Sequence, residues 1–195
     1  MSGRESDKRL IIGISGASGA IYGIRMLEVL RDVEIETHLV MSRAAKLTVT
    51  METDYSVAQV EALADVVYSP ADVGAACASG SFKTMGMVVA PCSIKSLSEV
   101  ANGMSSNLLS RAADVCLKER RRLVLMLRET PLHAGHIRLM AQATDMGAII
   151  SPPVPGFYAN PESLEDMVDH TIGRVLDLFD IEAGIVRRWQ GVSPE

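Results

Sequence analysis

Arg9-Leu10-Ile11-Ile12-Gly13-Ile14-Ser15-Gly16-Ala17-Ser18-Gly19-Ala20 decides the fold. An apolar run closed by a small-residue turn reads as a buried strand, Arg9–Ile14, and Ile21–Arg31 reads as the helix after it. Successive apolar residues mean that both faces of the strand are covered, as in a parallel sheet. The alternation continues outward. Ile35–Met41 is a strand, and Ser42 caps the helix that follows. Val57–Ala64 is a short helix and Val66–Tyr68 a short strand. Met85–Ala90 is a strand closed by Pro91. Lys95–Ala101 and Asn107–Glu119 are helices, Leu123–Leu127 a strand, His136–Met146 a helix and Ala148–Ile150 a strand. Pro152–Pro161 is a loop and Leu164–Phe179 a long helix. Strands separated by helices imply right-handed crossovers and an α/β fold of three layers. Ligands of such sheets bind at the carboxyl ends of the strands, so the residues after each strand carry the functional reading.

Bulk properties narrow the classes. The 195 residues suit one domain, and 48% hydrophobic with 22% charged residues suits a globular chain rather than a disordered one. No apolar run approaches the ~20 residues of a membrane helix. The N-terminus lacks an apolar signal region, so secretion is not expected. A net charge of −5 argues against bulk nucleic-acid binding but leaves room for a local anion pocket. Cys77, Cys92 and Cys116 are odd in number and far apart, without metal-ligand spacing or a disulfide framework, and fit a reducing cytoplasm.

The turn Gly16-Ala17-Ser18 at a helix start suits a phosphate, although its spacing is neither the dinucleotide fingerprint nor a P-loop. The second strand ends in Ser42-Arg43, without the acid that holds an NAD ribose, which puts a mononucleotide such as FMN ahead of NAD and ATP. Pro91-Cys92-Ser93-Ile94-Lys95-Ser96 offers two hydroxyls and a lysine, of which capping explains one serine. Cys92 reads as a small buried residue rather than a nucleophile. Arg128-Glu129 follows a buried strand, so Arg128 can hold phosphate and Glu129 can move protons, or the two form a solvated ion pair. Three prolines stiffen the loop that presents Tyr158. Arg111 and Lys118, seven apart, lie about 20° apart on one helix border, as phosphate ligands or as snorkelling rim residues. His133 and His136 are too few for a metal centre, and no metal is expected.

Taken together, GISGASGAIYG at 13–23, METD at 51–54, PCSIKSLS at 91–98, RAADVCLKERR at 111–121, RETPLH at 128–133 and PPVPGFY at 152–158 resemble the UbiX flavin prenyltransferase family, from about residue 9 to Trp189. The resemblance implies a single-domain flavodoxin-like Rossmann sandwich over residues 1–195, with 1–8 and 190–195 flexible or in oligomer contacts, assembled as a homododecamer. It implies transfer of the dimethylallyl group of dimethylallyl monophosphate to N5 and C6 of reduced FMN. The product, prenyl-FMN, serves a partner decarboxylase of the UbiD type, in ubiquinone biosynthesis or aromatic-acid decarboxylation.

By motif, Gly16, Ala17, Ser18, Ser42, Ser93, Ile94, Lys95, Ser96 and Arg128 would contact FMN. Tyr158 and Arg174 would bind the prenyl phosphate, with Arg111 and Lys118 in the same cluster. Glu129 would be the acid/base, Ser18 a relay for the N5 proton, Glu52 a further active-site carboxylate and Trp189 an aromatic near the prenyl group. The chemistry suits these residue types: cations stabilise the phosphate that departs, a buried glutamic acid protonates it, and an aromatic face shelters the allylic cation. A monophosphate held by side chains needs no Mg²⁺. Two other readings stand beside this one: direct decarboxylation with bound FMN, as in flavin-containing cysteine decarboxylases, and a non-catalytic FMN-carrying subunit.

Overall fold

The computed structural model describes residues 8–186 together with Arg188 and Gly191. Six strands, β1 (Arg9–Ile14), β2 (Glu36–Met41), β3 (Val66–Tyr68), β4 (Gly86–Cys92), β5 (Arg122–Leu127) and β6 (Ala148–Ile150), form one sheet in the order β3-β2-β1-β4-β5-β6. Every pairing is parallel. The helices are α1 (Ala20–Leu30), α2 (Arg43–Glu52), α3 (Val57–Glu61), α4 (Ile94–Ala101), α5 (Leu108–Lys118), α6 (Ala134–Asp145) and α7 (Leu164–Asp177).

Strand alternation divides the core in two. Leu10, Ile12, Ile14, Val88 and Val124 face α1, α2 and α7, packing with Ile24, Leu27, Val49, Ile172 and Leu176. Ile11, Val40, Met87, Val89 and Leu125 face the other way, against Leu97, Leu108, Leu109, Ala112 and Ala143 of α4, α5 and α6. This double burial is why the strands read as unbroken apolar runs. Among the described residues no helix is long and apolar enough to cross a membrane.

The starts of the helices are polar by design of the sequence. Ser42, Ser56, Ser93, Asn107, His133 and Ser163 each accept a backbone N–H of the helix they open. Arg25 of α1 grips Asp169 of α7 with two hydrogen bonds, of 2.7 and 3.1 Å, fixing these helices side by side.

Most observed bounds lie within two or three residues of those read from sequence, as hydrogen-bond definitions allow. One difference has a physical reason. β4 does not stop before Pro91 but runs on to Cys92. The pairing of β4 with β5 shifts register between Val89 and Cys92, so the missing N–H of Pro91 costs no ladder bond, while its carbonyl is used by Ser15.

Gly23 shows how closely α1 is pressed onto the sheet. A Cβ there would lie 2.3 Å from the carbonyl oxygen of Ala90 and 2.8 Å from the Ile14 side chain. Alanine would gain about 1 kcal/mol of helix preference. Overpacking costs roughly 1–3 kcal/mol, and at 2.3 Å from a backbone oxygen that cannot withdraw the cost lies at the upper end, so it outweighs that gain. Gly23→Ala should therefore lower the melting temperature by several degrees in a thermal unfolding scan. An unchanged or raised value would show that α1 can move off the sheet.

Candidate active site

The chain leaves β1 toward β2 on one side and returns as β4 on the other, opening a crevice between the carboxyl ends of β1 and β4. Ser15 closes its floor. This buried serine donates its N–H (3.2 Å) and its hydroxyl (2.8 Å) to Pro91 O, and its Oγ accepts the Ser93 N–H at 2.7 Å. Three hydrogen bonds thus lock the two strand ends. Nothing in its local sequence gave Ser15 a role beyond the turn; the signal available was a hydroxyl directly after a buried strand.

Above this floor, Gly16 and Ser18 are exposed and Ala17 points inward. A Cβ on Gly16 would lie 2.3 Å from that of Ala44, so the β1 turn rests directly on the first turn of α2. Ser42 and Ser93 cap α2 and α4, through Ala45 N at 3.1 Å and Ser96 N at 3.2 Å. Ser93 Oγ and Ser96 Oγ are also 3.1 Å apart. Capping uses the oxygens as acceptors and leaves the Ser42 hydroxyl hydrogen able to donate outward. Ile94 packs into the α4–α5–α6 layer. Lys95 bonds the buried Glu99 at 2.8 Å while its ammonium stays largely in solvent. Glu99 also accepts from Ser106 and Asn107, so α4 and the start of α5 are joined around one carboxylate.

At the end of β5, Arg128 donates its N–H to Cys92 O at 3.0 Å and exposes its side chain. Its charge reaches Tyr22 of α1. Burial raises the Tyr22 phenol above its ordinary pKa, and the Arg128 guanidinium opposes that. Glu129 is half-buried and accepts its neighbour's N–H, from Thr130, at 3.1 Å. Burial pushes the Cys92 thiol up to about 12, so it stays protonated and packs as an apolar residue.

Glu52 holds a position that spacing did not reveal. From the end of α2 it accepts the Gly19 N–H at 2.7 Å and the Ala20 N–H at 3.4 Å. The first turn of α1, read from sequence as a phosphate seat, is occupied by this internal carboxylate. An incoming phosphate would be repelled there, which leaves the Gly16–Ser18 turn, the α2 and α4 starts and Arg128 as its donors.

The four residues assigned to prenyl phosphate are not gathered by one chain. Arg111 and Lys118 lie on α5. Arg111 bonds Ala78 O at 3.2 Å and Asp114 at 2.7 Å, while Lys118 pairs with Glu119 beside Gly80. Tyr158 and Arg174 lie on the α7 side. Tyr158 Oη is 3.1 Å from His170 Nε2, and Arg174 bonds Asp177 at 2.5 Å. α5 and α7 cover opposite faces of the sheet, which stands between the pairs. The expected cluster is therefore not assembled within a single chain: helical spacing places Arg111 beside Lys118 but does not say which face of the sheet a helix covers. Trp189 lies outside the described residues.

The donor set of the crevice fits the phosphate of a flavin mononucleotide: hydroxyls at two helix starts, an exposed small-residue turn and, in Arg128, an exposed guanidinium without a carboxylate partner among the described residues. Among the described residues no three His, Cys, Asp or Glu side chains cluster as a metal site, and His133 Nδ1 is engaged in accepting the Gly135 N–H.

Comparison with known proteins gives a consistent answer. The family model "Flavoprotein" matches residues 1–189. The flavin prenyltransferase UbiX of Escherichia coli K12 is 60% identical over 187 residues, covering 94% of this chain and 99% of that protein. A crystal structure of AnUbiX (PadA1) in complex with FMN and dimethylallyl pyrophosphate superposes with a TM-score of 0.94 at 49% identity, covering 96% of this chain and all of that one. A dodecameric FMN-dependent UbiX-like decarboxylase from E. coli O157:H7 gives 0.92 at 49%, over 94% of this chain and all of that one. The chain belongs to the flavoprotein family and, within it, to the UbiX group of flavin prenyltransferases.

Proposed function

We propose that this chain transfers the dimethylallyl group of dimethylallyl monophosphate to N5 and C6 of reduced FMN, releasing phosphate and yielding prenyl-FMN for a UbiD-type decarboxylase. One observation carries the reading: the β1–β4 crevice presents its serine-capped helix starts and Arg128-Glu129 in a chain 60% identical, over nearly its whole length, to a flavin prenyltransferase. Residues 1–195 act as one flavoprotein domain. The buried free thiols Cys77, Cys92 and Cys116 support a reducing compartment, the cytoplasm.

Bound reduced flavin supplies the nucleophilic N5 and C6. The chain supplies the rest. Ser42, Ser93, Ser96, Lys95 and Arg128 hold the flavin phosphate, and Gly16, Ala17 and Ile94 shape the wall along the ring. Ser18, exposed beside the Glu52-capped turn, relays a proton. Glu129 protonates the departing phosphate, and closing the site would bury it further than a lone chain does. Trp189 shelters the prenyl group.

The split between α5 and α7 supports a site completed by a second copy, with Arg111 and Lys118 of one chain meeting Tyr158 and Arg174 of another. The dodecameric relative supports a homo-oligomer of the same kind.

Two measurements test this reading. Anaerobic incubation of the protein with reduced FMN and dimethylallyl monophosphate, with no partner enzyme, should yield a flavin heavier by the prenyl unit. The same product should form in EDTA, because cationic side chains do the work of Mg²⁺. Unchanged flavin with loss of CO₂ from an aromatic acid would identify a direct decarboxylase instead, and unchanged flavin alone would identify a carrier.

Glu129→Gln keeps the shape and hydrogen-bonding reach but cannot exchange the proton. FMN binding should survive while turnover falls by ~10²-fold or more. Near-normal turnover in a steady-state assay would remove the acid/base role.

A further inference from the structure

His170 entered no part of the sequence reading, yet it is the polar group on which the Tyr158 loop is seated. It lies on α7, nearly buried, with its ring edge-on to that of Tyr158 at 5.3 Å between centroids. Its Nε2 is 3.1 Å from the Tyr158 hydroxyl oxygen. The preceding residue of the helix, Asp169, is pinned by both nitrogens of the Arg25 fork, so the height of His170 is fixed against α1. The loop comes down onto the imidazole at Gly156, where a Cβ would lie 3.0 Å from Nε2. Arg174 follows His170 by four residues, one turn along the same side of α7.

The other ring nitrogen decides the direction of the hydrogen bond. Nδ1 of His170 is buried and has no hydrogen-bond partner among the described residues. If Nε2 accepted the phenol proton, Nδ1 would carry the ring hydrogen and a buried N–H would stand unpaired. If Nε2 carries the hydrogen and donates it to the Tyr158 oxygen, only a lone pair stands unpaired, a smaller loss. In this second arrangement the Tyr158 hydroxyl hydrogen points away from His170.

We propose that His170 is the positioning residue of the prenyl-phosphate site: by donating Nε2–H to Tyr158 Oη it holds the phenol and turns its O–H outward as a donor to the substrate phosphate. This inference rests on the reading above that Tyr158 binds the prenyl phosphate.

The test measures binding of dimethylallyl monophosphate to the FMN-loaded, full-length protein. Tyr158→Phe should weaken binding, and His170→Phe should weaken it about five- to tenfold, the loss of one hydrogen bond. FMN affinity should stay unchanged in both. The double variant should bind no more weakly than Tyr158→Phe, because both changes remove the same contact. His170→Gln, whose amide N–H can reach where Nε2 lies, should recover most of the loss. If His170→Phe does not fold, His170→Asn, too short to reach Tyr158, replaces it. Wild-type binding by the His170 variant beside a weakened Tyr158→Phe would overturn the proposal alone. So would losses that multiply in the double variant, or FMN affinity falling in step with phosphate affinity. Wild-type binding by Tyr158→Phe would overturn the underlying reading of Tyr158, and with it the role of His170.

Discussion

The lock between the ends of β1 and β4 governs the rest of this molecule. Neighbouring parallel strands whose connections leave in opposite directions must part at their carboxyl ends, and the parting is where a ligand can enter. Ser15 limits that parting by bonding both Pro91 and Ser93 from the position directly after β1. Its reach fixes the distance between the Gly16–Ser18 turn and the α4 start. α1 must then lie close enough over β4 that only glycine fits at position 23. The crevice is therefore a product of strand order, closed underneath by one hydroxyl, before any functional side chain is considered.

Charge is distributed around this crevice by internal pairing. Glu52 satisfies the start of α1, Glu99 gathers Lys95, Ser106 and Asn107, and Asp177 holds Arg174 and Arg188. These pairings lower the cost of carrying so many ions near an apolar core, and they set which cations face outward unpaired by a near carboxylate. Arg128, at the crevice mouth, is one guanidinium without a carboxylate partner among the described residues. Arg111, Lys118 and Arg174, by contrast, stand away from the crevice on two different faces. Any phosphate that needs all of them needs more than one chain.

The sheet was legible because its strands are buried on both sides. Leu10 to Ile14, Val88 to Ala90 and Leu123 to Leu127 are apolar at nearly every position, a pattern few other structures tolerate. The helix starts were legible through Ser42 and Ser93, whose caps fall where expected. Less legible was anything set by the third dimension. Nothing near Pro91 in sequence announces that Ser15, 76 positions earlier, needs its carbonyl. METD locates Glu52 on a helix end but not against Gly19. Spacing puts Arg111 and Lys118 on one edge of α5, and correctly so. It cannot say that α5 and α7 are separated by the sheet, because that depends on which side each crossover takes. His170 escaped because a histidine inside an amphipathic helix looks like an ordinary core residue until Tyr158 is seen on it.

In the proposed function the phosphate site is shared between copies. Subunit complementation tests it most directly. Lys118→Ala and Arg174→Ala chains, each poorly active alone, would be co-expressed and purified as mixed assemblies, and flavin prenylation measured. If α5 of one copy and α7 of another form each site, random mixing leaves about a quarter of the sites with both cations, and roughly that share of wild-type activity should return. Activity no greater than that of the two separate variants would contradict the shared site and place all four residues back within a single chain.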